Sequence, residues 1–141
     1  MAVAWENPTV ARYYDIDAAN ARLSELRPVL EQLRADRDRV AEAQSELVRF
    51  RGTNGNSEHA EELRTRERSI RGIVRRMERA VTQIEAWDVT LRDIGAGLVD
   101  FPALVTGRPV WLCWRLGEGD IEWWHEHGTG IAGRRPLAEL G

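Results

Sequence analysis

The hydrophobic positions change period along the chain, and that change divides it. Positions 23, 26, 30, 33, 37, 40, 44 and 47 recur in alternating steps of three and four. They hold Leu23, Leu26, Leu30, Leu33, Arg37, Val40, Gln44 and Leu47, a coiled-coil-like helical seam. Asp15 is the expected N-cap, and Asp17 follows in a first turn that favours negative charge. Pro28 falls inside the pattern and should kink the helix or mark its true start. A second seam runs Leu63, Arg66, Ile70, Ile73, Met77, Ala80, Ile84 and Trp87. Between the seams, GTNGNS at 52–57 reads as a loop, with Ser57 as the cap and Glu58, Glu61 and Glu62 in the first turns. So short a loop makes the two helices antiparallel neighbours, a helical hairpin over residues 15–91. Each helix would extend about 45 Å at 1.5 Å per residue. One seam on each buries a narrow core, so the remaining apolar surface must meet the rest of the chain or a second copy. The polar seam positions Arg37, Gln44 and Arg66 can fix register and partner number, or line a site between helices.

Beyond residue 97 the period becomes two. Leu98 to Val105, Val110 to Leu116 and Ile121 to His127 read as strands, separated by turns at 106–109 and 117–120. Pro102 suggests an edge or bulged strand. The expected fold class is α+β in one domain, 1–141: a long antiparallel helical hairpin packed on a three-stranded antiparallel β-meander over 97–127. An arm at 1–14 with Trp5, Tyr13 and Tyr14 precedes it, and a Gly/Arg tail at 128–141 follows.

With Gly107 and Arg108 central to the first turn, and Glu118 and Gly119 to the second, the sheet divides into two faces. One carries Val99, Phe101, Ala103, Val110, Leu112, Trp114, Ile121, Trp123 and His125, and should pack on the hairpin. The other carries Asp100, Pro102, Trp111, Cys113, Arg115, Glu122, Trp124 and Glu126, with Asp100, Arg115 and Glu122 in a cross-strand row. Such a row is first a structural ion-pair ladder. Its Arg, held rigid between carboxylates, can also receive an anionic ligand. A slip of one residue would swap the faces.

A chain of 141 residues with 43% hydrophobic and 30% charged positions suits one ordinary domain. Twenty basic residues against 23 acidic ones give a net charge of -3, which argues against a general binder of nucleic acid or anionic membrane. The stripe Arg64, Arg68, Arg71, Arg75 and Arg79 reads as a solvated, ion-paired face for the same reason. Every basic residue is Arg, the mark of a GC-rich bacterial genome, and a Lys nucleophile is excluded. The lone Cys113 gives no internal disulfide. No apolar run is long enough to span a membrane, and MAVAWENP at 1–8 lacks the basic and apolar regions of a secretory signal. The expected location is cytoplasmic.

The stretches GLVDFPA at 97–103, LCWRLGE at 112–118, WHE at 124–126 and GRRPL at 133–137 resemble the bacterial family called domain of unknown function 2203. YYDIDAAN at 13–20 is similar to that family's opening, although Asp15 and Asp17 stand where a hydroxyl and a Glu are expected. The resemblance covers nearly the whole chain. It implies one intact domain and supplies no activity.

His125 and His127 are two apart, so on a strand both imidazoles point to one side and can share a divalent metal. A third ligand would come from the helices or Glu118. Otherwise His125 is a core-edge imidazole hydrogen-bonded to a carbonyl or carboxylate, or a general base. The Gly-rich 128–136 segment can wrap an anion or simply cross the surface, with Arg134 or Arg135 anchoring it to a carboxylate. It lacks the features of a phosphate-binding Walker loop or a dinucleotide fingerprint. Cys113 reads as a small packed thiol rather than a nucleophile. Trp111 and Trp124, together on the face away from the hairpin, suggest a dimer contact or a ligand groove. These features favour a non-enzymatic binding or accessory protein, a homodimer with an anionic small-molecule surface at Arg115, Trp111, Trp124, Arg134 and Arg135. The alternative is a small enzyme that uses His125 as metal ligand or base, with Glu122 or Asp100 and Arg115 as electrostatic partners. A third reading is a helical scaffold that recruits another coiled-coil protein.

Overall fold

The computed structural model describes residues 13–53 and 55–140, so Trp5 lies outside the described residues. Helix α1 spans Ile16–Arg51 and α2 spans Ser57–Ala86. Asp15 caps α1 as expected, its carboxylate accepting from the Ala18 N–H at 2.7 Å. The helix runs through Pro28 without ending, so this proline does not mark the start. The cap of α2 is Asn56 rather than Ser57: its side-chain oxygen accepts from the N–H groups of Glu58 and His59.

Leu23, Leu26, Leu30, Leu33 and Leu47 are buried as the first seam predicts, and Val40 is half-buried. Where the predicted seam position is polar, the residue before it turns inward instead: Asp36 is buried and Ala43 half-buried, while Arg37 and Gln44 are exposed. The Asp36 carboxylate takes a bidentate pair of bonds from Arg76 of α2, at 2.8 and 2.6 Å, and one from Gln32. The Arg76 bonds hold it below the usual carboxylate range against the opposing effect of burial.

After α2 come five antiparallel strands in chain order: β1 Thr90–Asp93, β2 Leu98–Val105, β3 Arg108–Arg115, β4 Trp123–Glu126 and β5 Arg135–Pro136. The expected meander is the middle of this sheet. The two additional strands flank it and are too short, at four and two residues, to show a period-two pattern. Pro102 stands past the end of β1, whose pairing reaches only Asp100, so β2 is locally an edge there. Tyr14 covers the spot, its N–H donating to the Pro102 carbonyl at 2.7 Å.

Val99, Phe101, Ala103, Val110, Leu112 and Trp114 form the helix-facing side, packed in one core with Leu23, Leu26, Leu30, Leu33 and Ile84. On α2 that core begins at Met77, and the outer half of the hairpin buries Leu47, Ile70 and Ile73.

The first hairpin turn is Thr106-Gly107, with φ of +48° and +79°, a type I′ pair. A β-branched residue in the left-handed region is strained. Thr106→Asn should therefore raise stability by about 0.5–1 kcal/mol. A urea midpoint equal to or below the parent's would show that the Thr106 hydroxyl bond to the Val105 carbonyl compensates the strain.

Candidate functional site

The turn positions decide which side chains meet on the outward face of the sheet. A two-residue turn at 106–107 sets Asp100 opposite Cys113 and Leu98 opposite Arg115. The Asp100–Arg115 pair expected from a turn at 107–108 is therefore not formed. The second connection is the seven-residue segment 116–122 and not a tight turn at 118–119. This moves β4 by one residue and exchanges its faces. Trp111 pairs with His125, Leu112 with Trp124 and Cys113 with Trp123. His125 and Trp123 thus join the outward face, while Trp124 turns to the core. Glu122 precedes β4, is exposed, and makes no row with Arg115. A signal for the first turn was present: the favoured two-residue turns place Gly second, as Thr106-Gly107 does.

The result is a buried polar trio from three neighbouring strands. Asp100, Cys113 and His125 are exposed by 2%, 1% and 3%. His125 Nε2 lies 3.0 Å from both Asp100 oxygens, and Nδ1 lies 3.0 Å from the Glu126 carbonyl oxygen. Both ring nitrogens face acceptors, so both donate only when the ring carries two protons. Arg92 comes from β1, at an irregularity where the pairing jumps from Leu91–Val99 to Asp93–Leu98. Its Nε donates to Asp100 Oδ2 at 2.8 Å, and its guanidinium lies 4.9 Å from the Trp111 ring centre. Such bulges re-aim a side chain. Sequence reading missed Arg92, because residues 90–93 follow a long helix and show no alternation.

These groups floor a pocket of about 440 Å³, walled by Trp111, Leu98 and the segment Gly128 to Ile131. Burial pushes the Cys113 thiol up to about 11, and the Asp100 carboxylate adds to the rise. At neutral pH it is a protonated thiol, not an activated nucleophile. One ligand atom each from Asp100, Cys113 and His125 lies within 4.8 Å of the others, a set able to hold a metal ion.

The remaining predicted residues are dispersed. Trp111 is in the pocket, with His127 stacked on it at 4.6 Å and 10°. Trp124 is buried, its indole N–H donating to the Pro136 carbonyl, with Arg135 over its ring at 5.5 Å. Trp111 lines the pocket and Trp124 faces the core, so the two do not form the shared dimer contact or groove expected of them. Arg115 is exposed and outside the pocket lining. Arg134 pairs with Glu118 at 3.0 Å and lies 4.7 Å from the Trp123 ring centre, the anchoring role expected of the tail.

Among the described residues, no helix is long and apolar enough to cross a membrane. A family model described as an uncharacterized conserved protein, DUF2203, matches residues 12–137. Comparison with curated proteins and with solved structures finds no match.

Proposed function

The chain belongs to the DUF2203 family, and we propose that it binds a small anionic molecule in the pocket over Asp100, Cys113 and His125. The observation that carries this reading is Arg92, a guanidinium placed by an irregular strand against the pocket floor and over Trp111. Arg92 brings a guanidinium to the recess beside Asp100, and the His125 ring nitrogens face the Glu126 carbonyl and the Asp100 carboxylate. Gly128, Thr129 and Gly130 form part of the rim. Trp111 offers a flat apolar wall for a ring or chain attached to the anion.

Binding is favoured over general-base catalysis by the same geometry. A base needs a free lone pair aimed at its substrate. Here Nδ1 is committed to a carbonyl and Nε2 to a carboxylate.

Inorganic phosphate is the simplest probe. It should raise the thermal midpoint progressively with concentration, including beyond saturation, because a ligand of the folded state stabilises by RT ln(1 + [L]/Kd). Arg92→Gln should weaken phosphate at least about tenfold, since one charge-assisted bond is worth roughly 1.5–3 kcal/mol. If phosphate, sulfate and a small dicarboxylate shift parent and Arg92→Gln equally, the anion reading is wrong.

A further inference from the structure

The geometry points to a zinc site whose three protein ligands are Asp100, Cys113 and His125, with a fourth position open to the pocket. This goes beyond anion binding and does not depend on it. The three side chains rise from β2, β3 and β4 at adjoining positions of one sheet, so the backbone holds them in place. Their ligand atoms lie within 4.8 Å of one another. Tetrahedral zinc with bonds of about 2.0–2.3 Å needs its ligands about 3.3–3.8 Å apart. Rotamer adjustments on the order of 1 Å therefore close the site, with no change of fold.

The donor set selects the metal. A thiolate is a poor ligand for magnesium or calcium, whereas sulfur, imidazole and carboxylate together suit zinc and its spectroscopic substitute cobalt. Three protein ligands and one open position form the pattern of a reactive or ligand-binding zinc rather than a closed structural one. The surroundings also fit. His125 Nδ1 is held by the Glu126 carbonyl, which fixes the proton on that nitrogen and leaves Nε2 to bind. Arg92 occupies Asp100 Oδ2 and leaves Oδ1 for the metal. Zinc would take the place of the proton that Nε2 shares with Asp100 and of the thiol proton of Cys113, both released to solvent.

His127 is excluded from this set. It is exposed and stacked on Trp111, so the two-histidine site suggested by spacing is replaced by one drawn from three strands.

The test uses the full, untagged chain stripped by a chelator and titrated with cobalt(II), then with zinc. Cys113 is the only cysteine in the sequence, so a thiolate-to-cobalt charge-transfer band can come from no other residue of the chain. The expected result is that band, with visible bands of tetrahedral intensity, saturating at one cobalt per chain and displaced by zinc. Cys113→Ser, His125→Ala and Asp100→Asn should each weaken zinc by more than about 100-fold, and His127→Ala should leave it unchanged. Cobalt binding without the thiolate band, zinc far below one per chain, or loss of zinc in His127→Ala with retention in Cys113→Ser would overturn the proposal. The band in the parent protein decides the matter even if a variant fails to fold. Phosphate measured on the stripped protein separates this result from the anion reading, because either can fail without the other.

Discussion

Trp114→Ala is expected to remove about 3–5 kcal/mol of stability, the largest single loss on the helix-facing side of the sheet. Trp114 is fully buried between β3 and α1. Its indole N–H donates to the Gly119 carbonyl at 2.7 Å, and the Arg27 guanidinium lies 5.4 Å from its ring centre. Truncation removes the ring contacts, leaves a cavity that the sheet cannot collapse to fill, and withdraws one donor from Gly119. Domains of this size have roughly 5–15 kcal/mol in total, so the variant would be marginal. Trp114→Phe retains most of the volume and should cost only about 1–2 kcal/mol. Urea unfolding of both variants checks the pair. Agreement of Trp114→Ala with the parent to within about 1 kcal/mol would mean that the core repacks freely there. Since Cys113 is the next residue on β3, the same variant should loosen the pocket floor from the opposite face of the sheet.

Gly97→Ala is expected to cost about 2–4 kcal/mol, for two separable reasons. The residue has φ of +63°, where a side chain is strained. A Cβ there would also lie 2.5 Å from both Cγ and Cδ1 of Leu116, and the Leu116 N–H is bonded to the Gly97 carbonyl at 3.1 Å. Leu116 is thus held close and cannot simply withdraw. Gly107 provides the control. Its φ is +79°, but a Cβ there meets nothing within 4 Å, so Gly107→Ala should show the backbone strain alone, about 1–2 kcal/mol. Equal losses at the two positions would show that Leu116 yields and that the close approach has no energetic weight. Because Gly97 leads into Leu98, a wall of the pocket, its substitution should also reduce phosphate affinity, while Gly107→Ala should not.

What the sequence made legible follows from the strength of each local signal. The helical hairpin was readable because two long apolar stripes repeat near the helical period, and Asp15 supplied the cap. The burial of Asp36 in place of Arg37 was not, because Asp36 is held by Arg76 and Gln32, pairings that spacing alone does not show. The helix-facing side of β2 and β3 was readable: a register error of two residues preserves which way each side chain points. On β4 the error was one residue, which reversed Trp123, Trp124 and His125 together. Asp100, Trp111 and His125 were legible as chemically notable residues. Their convergence with Cys113 required the true register, and Arg92 required a four-residue strand with no pattern of its own. Cys113 was legible as a small buried thiol, but its neighbours could not be read from spacing along the chain.

The two outer strands have a consequence for how the protein behaves in a concentrated cell. A sheet with long free borders is a template for uncontrolled polymerisation, since each border presents a row of unpaired backbone groups. Here one border is the four-residue β1, interrupted at Arg92, and the other is a two-residue strand that includes Pro136, which has no N–H to offer. Neither offers an incoming strand a continuous ladder. The irregularity that brings Arg92 to the pocket is therefore also one that denies an incoming strand a regular edge.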